Sequence, residues 1–200
     1  MICAASPLLM AALCEKTEDL APLVYNETKV TLSEGPNFSI NDTLWISGEV
    51  SSMIFDEVSQ DSIINSNETI RDIISVMRLK IANRTSNTIE AINEFDLVTR
   101  AGSIDFLGAC PESELIAKAP LTENGQAYRY EIGLVPKNSG DFVLSWLEPV
   151  DHKNSVLNTQ ILEKYPVNGD KNNLGLTKCG ITSTILNISE SKDEFFFSVY

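Results

Sequence analysis

The chain has 200 residues, with 28 acidic against 15 basic side chains and a formal net charge of −13. Affinity for a phosphate backbone rests on clustered Lys and Arg, so this balance argues against nucleic acid as a partner and against electrostatic docking on anionic lipid. Apolar residues make up 43%, with eight Phe, five Tyr and two Trp, which is the composition of a chain that folds rather than of a disordered one.

Ile2 to Leu13 is an uncharged apolar run. It is too short to span a bilayer as a helix and has the length of the apolar region of a signal peptide. Cys14 closes it, and Cys14-Glu15-Lys16-Thr17-Glu18-Asp19 opens a charged segment. Ala11-Ala12-Leu13-Cys14 resembles the bacterial lipobox, whose Cys carries a diacylglyceryl group and begins the mature chain. Leu13 stands where that motif has a small residue, and no Lys or Arg precedes the apolar run. The acidic stretch after Cys14 resembles the export signals of flavobacterial-type surface lipoproteins. The resemblance implies lipidation at Cys14 and a place in the cell envelope, on the outer membrane surface or in the periplasm. Secretion without a lipid, and an ordinary buried segment of a cytosolic domain, are the alternatives.

Cleavage before Cys14 leaves 187 residues, enough for one large all-β domain. The expected division is a signal peptide over 1–13, a lipid-anchored tether over 14–27 and a β-sandwich over 28–200. The tether, Glu15 to Glu27, is polar and contains Pro22.

From there apolar and polar residues alternate with period two, the mark of strands with one face in a core. Lys29 to Leu32 is the first such strand. Leu44, Ile46 and Val50 share one parity with Gly48 in the next. Trp45 is out of phase with them, so it points toward solvent or a covering segment such as Ser51 to Asn67. An aromatic so placed can stack on a sugar or anchor a protein interface. Ser51 to Asn67 itself reads as a long loop or a weak extra hairpin. Ile70, Ile73 and Ile74 allow a helical turn before a strand in which Met77, Leu79 and Ile81 alternate with Val76, Arg78 and Lys80.

Phe95 to Arg100 and Glu114 to Ala119 are further strands. Tyr128, Tyr130, Ile132 and Leu134 alternate with Arg129, Glu131 and Gly133. Phe142, Leu144 and Trp146 follow, and the turn Pro136-Lys137-Asn138-Ser139-Gly140-Asp141 predicts that these two strands form a hairpin. Val150 to Leu176 reads as an insertion with one short helix, where Leu157, Ile161 and Tyr165 recur between Ser155 and Pro166. Phe195-Phe196-Phe197, in the last strand, breaks alternation and predicts a central strand buried on both faces. About eight strands suit an antiparallel sandwich of two sheets.

Cys110 and Cys179 lie in the body, and an oxidising compartment allows them to pair across a long loop; two separate buried thiols are the alternative. With a single His and no Cys-x-x-Cys, metal chemistry has little to build on, and no cofactor is expected. His152, in Val150-Asp151-His152-Lys153, reads as a solvated loop residue, and no Gly-x-Ser-x-Gly elbow accompanies it. The Asp and Asn of 56–61 and 168–173 offer oxygen ligands for calcium without EF-hand spacing, so they read as solvated loops. Two carboxylates for glycoside hydrolysis exist in any chain this acidic, and their decisive spacing is spatial. Asn-x-Ser/Thr sequons at Asn26, Asn37, Asn41, Asn67, Asn83 and Asn187 reflect Asn in turns, since a bacterial lipoprotein carries no ordinary N-glycan.

The strand Asn41 to Val50, the segments Gly133 to Pro136 and Ser139 to Trp146, and Leu174 to Gly180 resemble an uncharacterised family of flavobacterial secreted or surface proteins. Gly140-Asp141-Phe142-Val143-Leu144-Ser145-Trp146 is also similar to late strands of immunoglobulin-like modules. The resemblance implies export and a sandwich body, with no catalytic motif to carry over. The function expected is noncatalytic binding or scaffolding at the cell surface. The membrane is a partner through a lipid on Cys14, an extracellular protein or glycan is the other, and Ser51 to Asn67 and Val150 to Leu176 are contact regions. A secreted carbohydrate-binding or glycan-processing protein is the alternative.

Overall fold

The computed structural model describes residues 23–24, 26–33, 35–66, 69–83, 86–152, 159–167, 169–188 and 193–200. The run read as a signal peptide, Cys14 and most of the segment read as a tether lie outside these residues.

Two sheets face each other, as expected of a β-sandwich. The five-stranded sheet runs β14 (Val150–His152), β2 (Thr28–Leu32), β4 (Leu44–Ser51), β12 (Ala127–Pro136), β9 (Phe95–Ala101). The seven-stranded sheet runs β10 (Ser103–Phe106), β11 (Glu114–Ala119), β7 (Ile70–Asn83), β13 (Gly140–Trp146), β17 (Glu194–Val199), β3 (Asn37–Phe38), with β8 (Ser86–Glu90) also on β7. Two smaller sheets flank them: β1 (Leu23–Val24), β5 (Met53–Asp56) and β6 (Asp61–Ile64), and the hairpin of β15 (Leu174–Lys178) and β16 (Ile181–Ile185). Pairing is antiparallel except for β14 on β2 and β17 on β3. The eight strands predicted from the sequence are all present, and the remainder are shorter pieces at edges and in excursions. β1 falls within the segment read as tether.

The core follows from the alternation. Leu44, Ile46 and Val50 of β4 and Tyr128, Tyr130, Ile132 and Leu134 of β12 point inward. They meet Ile74, Val76, Phe142, Leu144, Phe195 and Phe197 of the other sheet, all buried. Aromatic rings bind one end together, with Phe142 stacked on Phe197 at 5.4 Å between centroids and Phe95 edge-on to Phe142 at 5.0 Å. Rings packed in these geometries stabilise beyond their area burial by about 1 kcal/mol a pair.

Phe196 points the other way. It joins Met77, Leu79 and Val143 in a second apolar cluster on the outer face of the seven-stranded sheet, covered by Ile161, Leu162, Leu174, Leu176 and Ile188. The triple-Phe strand is therefore buried on both faces, as its unbroken apolarity predicts, because the insertion forms a third layer above it.

Three expectations are corrected. β12 and β13 do not pair: β12 lies between β4 and β9, and β13 between β7 and β17. The turn 136–141 is an arch from one sheet to the other, held by Arg78, whose guanidinium donates to the Ser139 carbonyl at 2.8 Å, and by the Lys137 N–H on the Glu94 carbonyl. Ile70, Ile73 and Ile74 form no helical turn; they open β7, where β11 pairs with them. Their spacing fits a helix, but cross-strand partners outweigh local preference. His152 lies on the edge strand β14, opposite Val30, rather than on a loop.

The predicted helix is present as α1 (Thr159–Leu162), shorter than its pattern suggests, with residues 153–158 outside those described. Ser51 to Asn67 takes the hairpin option through β5 and β6. Asn41 and Asn187 adopt positive φ, as Asn in turns does. At Gly102, with φ +78°, the chain leaves β9 in one sheet and enters β10 in the other; a Cβ there would strike the Lys118 carbonyl.

Candidate functional site

The two outer faces of the sandwich differ, and the contrast locates the site. Above the seven-stranded sheet the insertion is fastened by several devices. Buried Asn87 of β8 accepts from the Gly175 N–H at 2.8 Å and donates to the Tyr165 carbonyl at 2.8 Å. The Thr88 hydroxyl accepts from the Thr177 N–H at 2.8 Å. Cys110 and Cys179 are bonded to each other, with Cα atoms 5.3 Å apart, joining the β15–β16 turn to the loop before β11. Asp141 accepts from Ser198, from the Tyr165 hydroxyl at 2.8 Å and from Lys164 at 3.1 Å. Burial pushes its carboxyl up, but those hydrogen bonds and the Lys164 charge outweigh it and leave the pKa below the usual value. Tyr165 is raised to about 12, by burial first and then by Asp141.

Under this layer four polar residues lie directly across the sheet: Glu114, Ser75, Ser145 and Glu194. All are buried, and Lys178, next to the disulfide, donates to the Ser145 hydroxyl at 3.2 Å. Burial lowers the Lys178 pKa, while Glu114, Glu194 and Asp193 pull it back up. This row is roofed by protein and acts as a polar clamp for the insertion.

Another buried carboxylate, Asp72, sits between the sheets and accepts from Tyr130 and Thr28. Its partners satisfy it from within the core, and a groove of about 560 Å³ opens beside it between Asn26, Arg71 and Glu148.

The outer face of the five-stranded sheet is open: among the described residues no element packs on it. Cross-strand register builds it row by row. Lys29, Glu49 and Arg129 form one row, Thr31, Ser47 and Glu131 a second, and Trp45, Gly133 and Val98 a third. A Cβ on Gly133 would approach Val98 at 2.7 Å and the Trp45 ring at 3.0 Å, so glycine lets the indole lie flat over β12. The Arg100 guanidinium then stacks on the indole, 3.6 Å from the ring centroid, and pairs with Glu131 at 2.9 Å. Trp45 does point outward, but its cover is Arg100 and not the segment 51–67. A polar groove of about 490 Å³, lined by Lys29, Glu49, Arg129, Asn26 and Gln126, continues the face at its end.

The other sequence candidates resolve as turn chemistry. Asp56 accepts from the Val58 N–H at 2.8 Å and from the Ser59 hydroxyl, which lower its pKa. Asp170 accepts from the Asn172 N–H at 2.8 Å in the same manner. Among the described residues no three His, Cys, Asp or Glu side chains are grouped to hold a metal ion. Of the regions expected to make contacts, Val150 to Leu176 serves largely as the covering layer. Cys14 lies outside the described residues. The Trp45–Arg100 stack was half legible: the phase of Trp45 was readable in the sequence, whereas its partner, 55 residues away, is set by the pairing of β9 beyond β12.

No known protein family matches the chain, and no curated protein is similar to it. Among solved structures the chain is similar to a cohesin module from the family 33 glycoside hydrolase of Clostridium perfringens, at 12% identity over 60% of this chain and 79% of that one, with a TM-score of 0.28.

Proposed function

We propose that this chain is an exported, noncatalytic binding or scaffolding protein, held in the cell envelope by a lipid on Cys14, and that it meets its partner through the open face of the five-stranded sheet. The observation that carries the reading is the asymmetry of the sandwich. One outer face is sealed by an insertion, a disulfide and a second apolar cluster, while the other presents a half-buried indole under a guanidinium, ringed by charges of both signs. Trp and Arg are the residues that most often dominate protein interfaces, and here they are pre-stacked, so little side-chain freedom is lost on binding.

The partner that this arrangement favours is a protein. A pyranose needs a free aromatic face, and Arg100 occupies the outward face of Trp45. A glycan ligand remains the alternative, for which Arg100 would have to swing away. Anchoring is supported by the apolar run before Cys14 and the charged segment after it.

Two measurements test the reading. Cys14→Ser should move the protein from the membrane to the soluble fraction; unchanged retention removes the anchor. A photo-crosslinking residue at Val98, beside Trp45 on the exposed face, should give a discrete protein adduct on intact cells that disappears with Trp45→Ala. An adduct pattern indifferent to Trp45, or glycan binding that increases in Arg100→Ala, would replace the protein partner with the alternative.

A further inference from the structure

The β1–β5–β6 sheet carries exposed apolar side chains on both faces, and one of the two faces is free of charge. Register sets Val24 opposite Phe55, Phe55 opposite Ser62, and Met53 opposite Ile64, so these five share one face. The apolar four are 47%, 39%, 39% and 64% exposed in the order Val24, Phe55, Met53, Ile64, and none of the five is charged. The other face carries Asp56 opposite Asp61, the exposed Leu23 and Ile63 at 38% and 42%, and Ile54, which is buried against the body. The face is held in place: the Asn65 N–H donates to the Ser52 carbonyl, the Tyr128 hydroxyl to the Asn65 carbonyl at 2.8 Å, and the Asn26 amide to the Met53 carbonyl at 2.7 Å. A contiguous apolar face on a fixed sheet marks a contact with something apolar.

Where the chain leads identifies that contact. β1 is the first described strand, and nine residue steps separate Leu23 from Cys14, a reach of at most roughly 30 Å when fully extended. We propose that this face rests on the lipid surface to which Cys14 is attached, burying Val24, Met53, Phe55 and Ile64 at the interface. This rests on the anchoring proposed above. With no cation on the face and a net charge of −13, the attraction is apolar, insensitive to salt, and directed to zwitterionic rather than anionic lipid.

The test uses the full lipid-modified chain on phosphatidylcholine vesicles, with an environment-sensitive fluorophore on Ile64→Cys and, as a control, on Ser183→Cys of the exposed strand β16. A quencher placed in the acyl chains should reduce the emission at position 64 several-fold more than at 183, unchanged as salt is raised, and Phe55→Ser with Met53→Ser should abolish the difference. Vesicle flotation of the wild type against Cys14→Ser reads the anchor separately. A chain that floats with equal quenching at 64 and 183 overturns the docking and leaves the anchor. A chain that does not float overturns both. Shielding at position 64 that grows with protein concentration in the absence of vesicles assigns the face to a second copy and overturns the docking as well.

Discussion

Tyr130 of the five-stranded sheet donates its phenol proton to Asp72 of the seven-stranded sheet across 2.7 Å, joining the two halves of the sandwich inside the core. Burial raises the Asp72 pKa, and the hydrogen bonds from Tyr130 and Thr28 only partly offset it. Tyr130 is itself pushed well above the ordinary tyrosine value, first by burial and then by the Asp72 charge. The folded state therefore holds a proton on Asp72 to higher pH than the unfolded chain, whose carboxyl has a pKa near 3.8. Stability from this group is present below that value and is lost as pH rises through the raised one. The stability of wild type minus that of Asp72→Asn, followed by denaturant titration, should fall as pH rises above 3.8. A difference that rises with pH there would contradict the assignment.

Asp141 has the opposite sign. Its folded pKa is depressed below 3.8, so its contribution is present at neutral pH and lost as pH falls through the folded value. Asp141→Asn should be less stable than wild type at pH 7, and the two should converge at low pH. Hydrogen exchange should show the loss first in the turn that follows α1, where Asp141 holds Tyr165 and Lys164.

Gly48 lies directly opposite Tyr130, and a Cβ there would overlap the edge of the tyrosine ring, 2.1 Å from its nearest carbon. Gly48→Ala should cost about 2 to 3 kcal/mol, the usual penalty for overpacking a core. Adding Tyr130→Ala removes the clash, so the double variant should lose less than the two single losses combined. Additive losses in thermal unfolding would show that the glycine is needed for another reason.

The disulfide closes a loop with its cysteines 69 residues apart, which loop-closure entropy values at about 4 kcal/mol. Cys110→Ser with Cys179→Ser should lower the unfolding free energy by a few kcal/mol. Because the bond pins the layer over Met77, Val143 and Phe196, binding of an apolar dye should rise well before global unfolding. A single transition with no early dye binding would mean that the layer holds without the bond.

Trp45→Ala and Arg100→Ala should leave stability within about 1 kcal/mol of wild type, the scale of an exposed cation–π pair. Crosslinking to the partner from Val98 should fall at least ten-fold in either variant, as expected for interface anchors. Loss of folding in circular dichroism would instead make the stack a structural one.

Period-two alternation was sufficient to assign the inward faces of β4 and β12, because a strand with one buried face must alternate whatever its partners. The unbroken Phe195-Phe196-Phe197 foretold burial on both sides for the same reason. Two cysteines in a chain that reads as exported gave a possible bond, and the fold brought them within reach. Which strand pairs with which was decided only by the tertiary structure. The pattern of β12 and β13 is the same whether the turn between them makes a hairpin or an arch, and the choice rests on contacts from Arg78 and Glu94, far away in sequence. The cover over Trp45, the layer over Phe196 and the exposed face of Val24, Met53, Phe55 and Ile64 were decided in the same way. Alternation along a strand separates its two faces; what lies against each face depends on contacts between segments far apart in the chain.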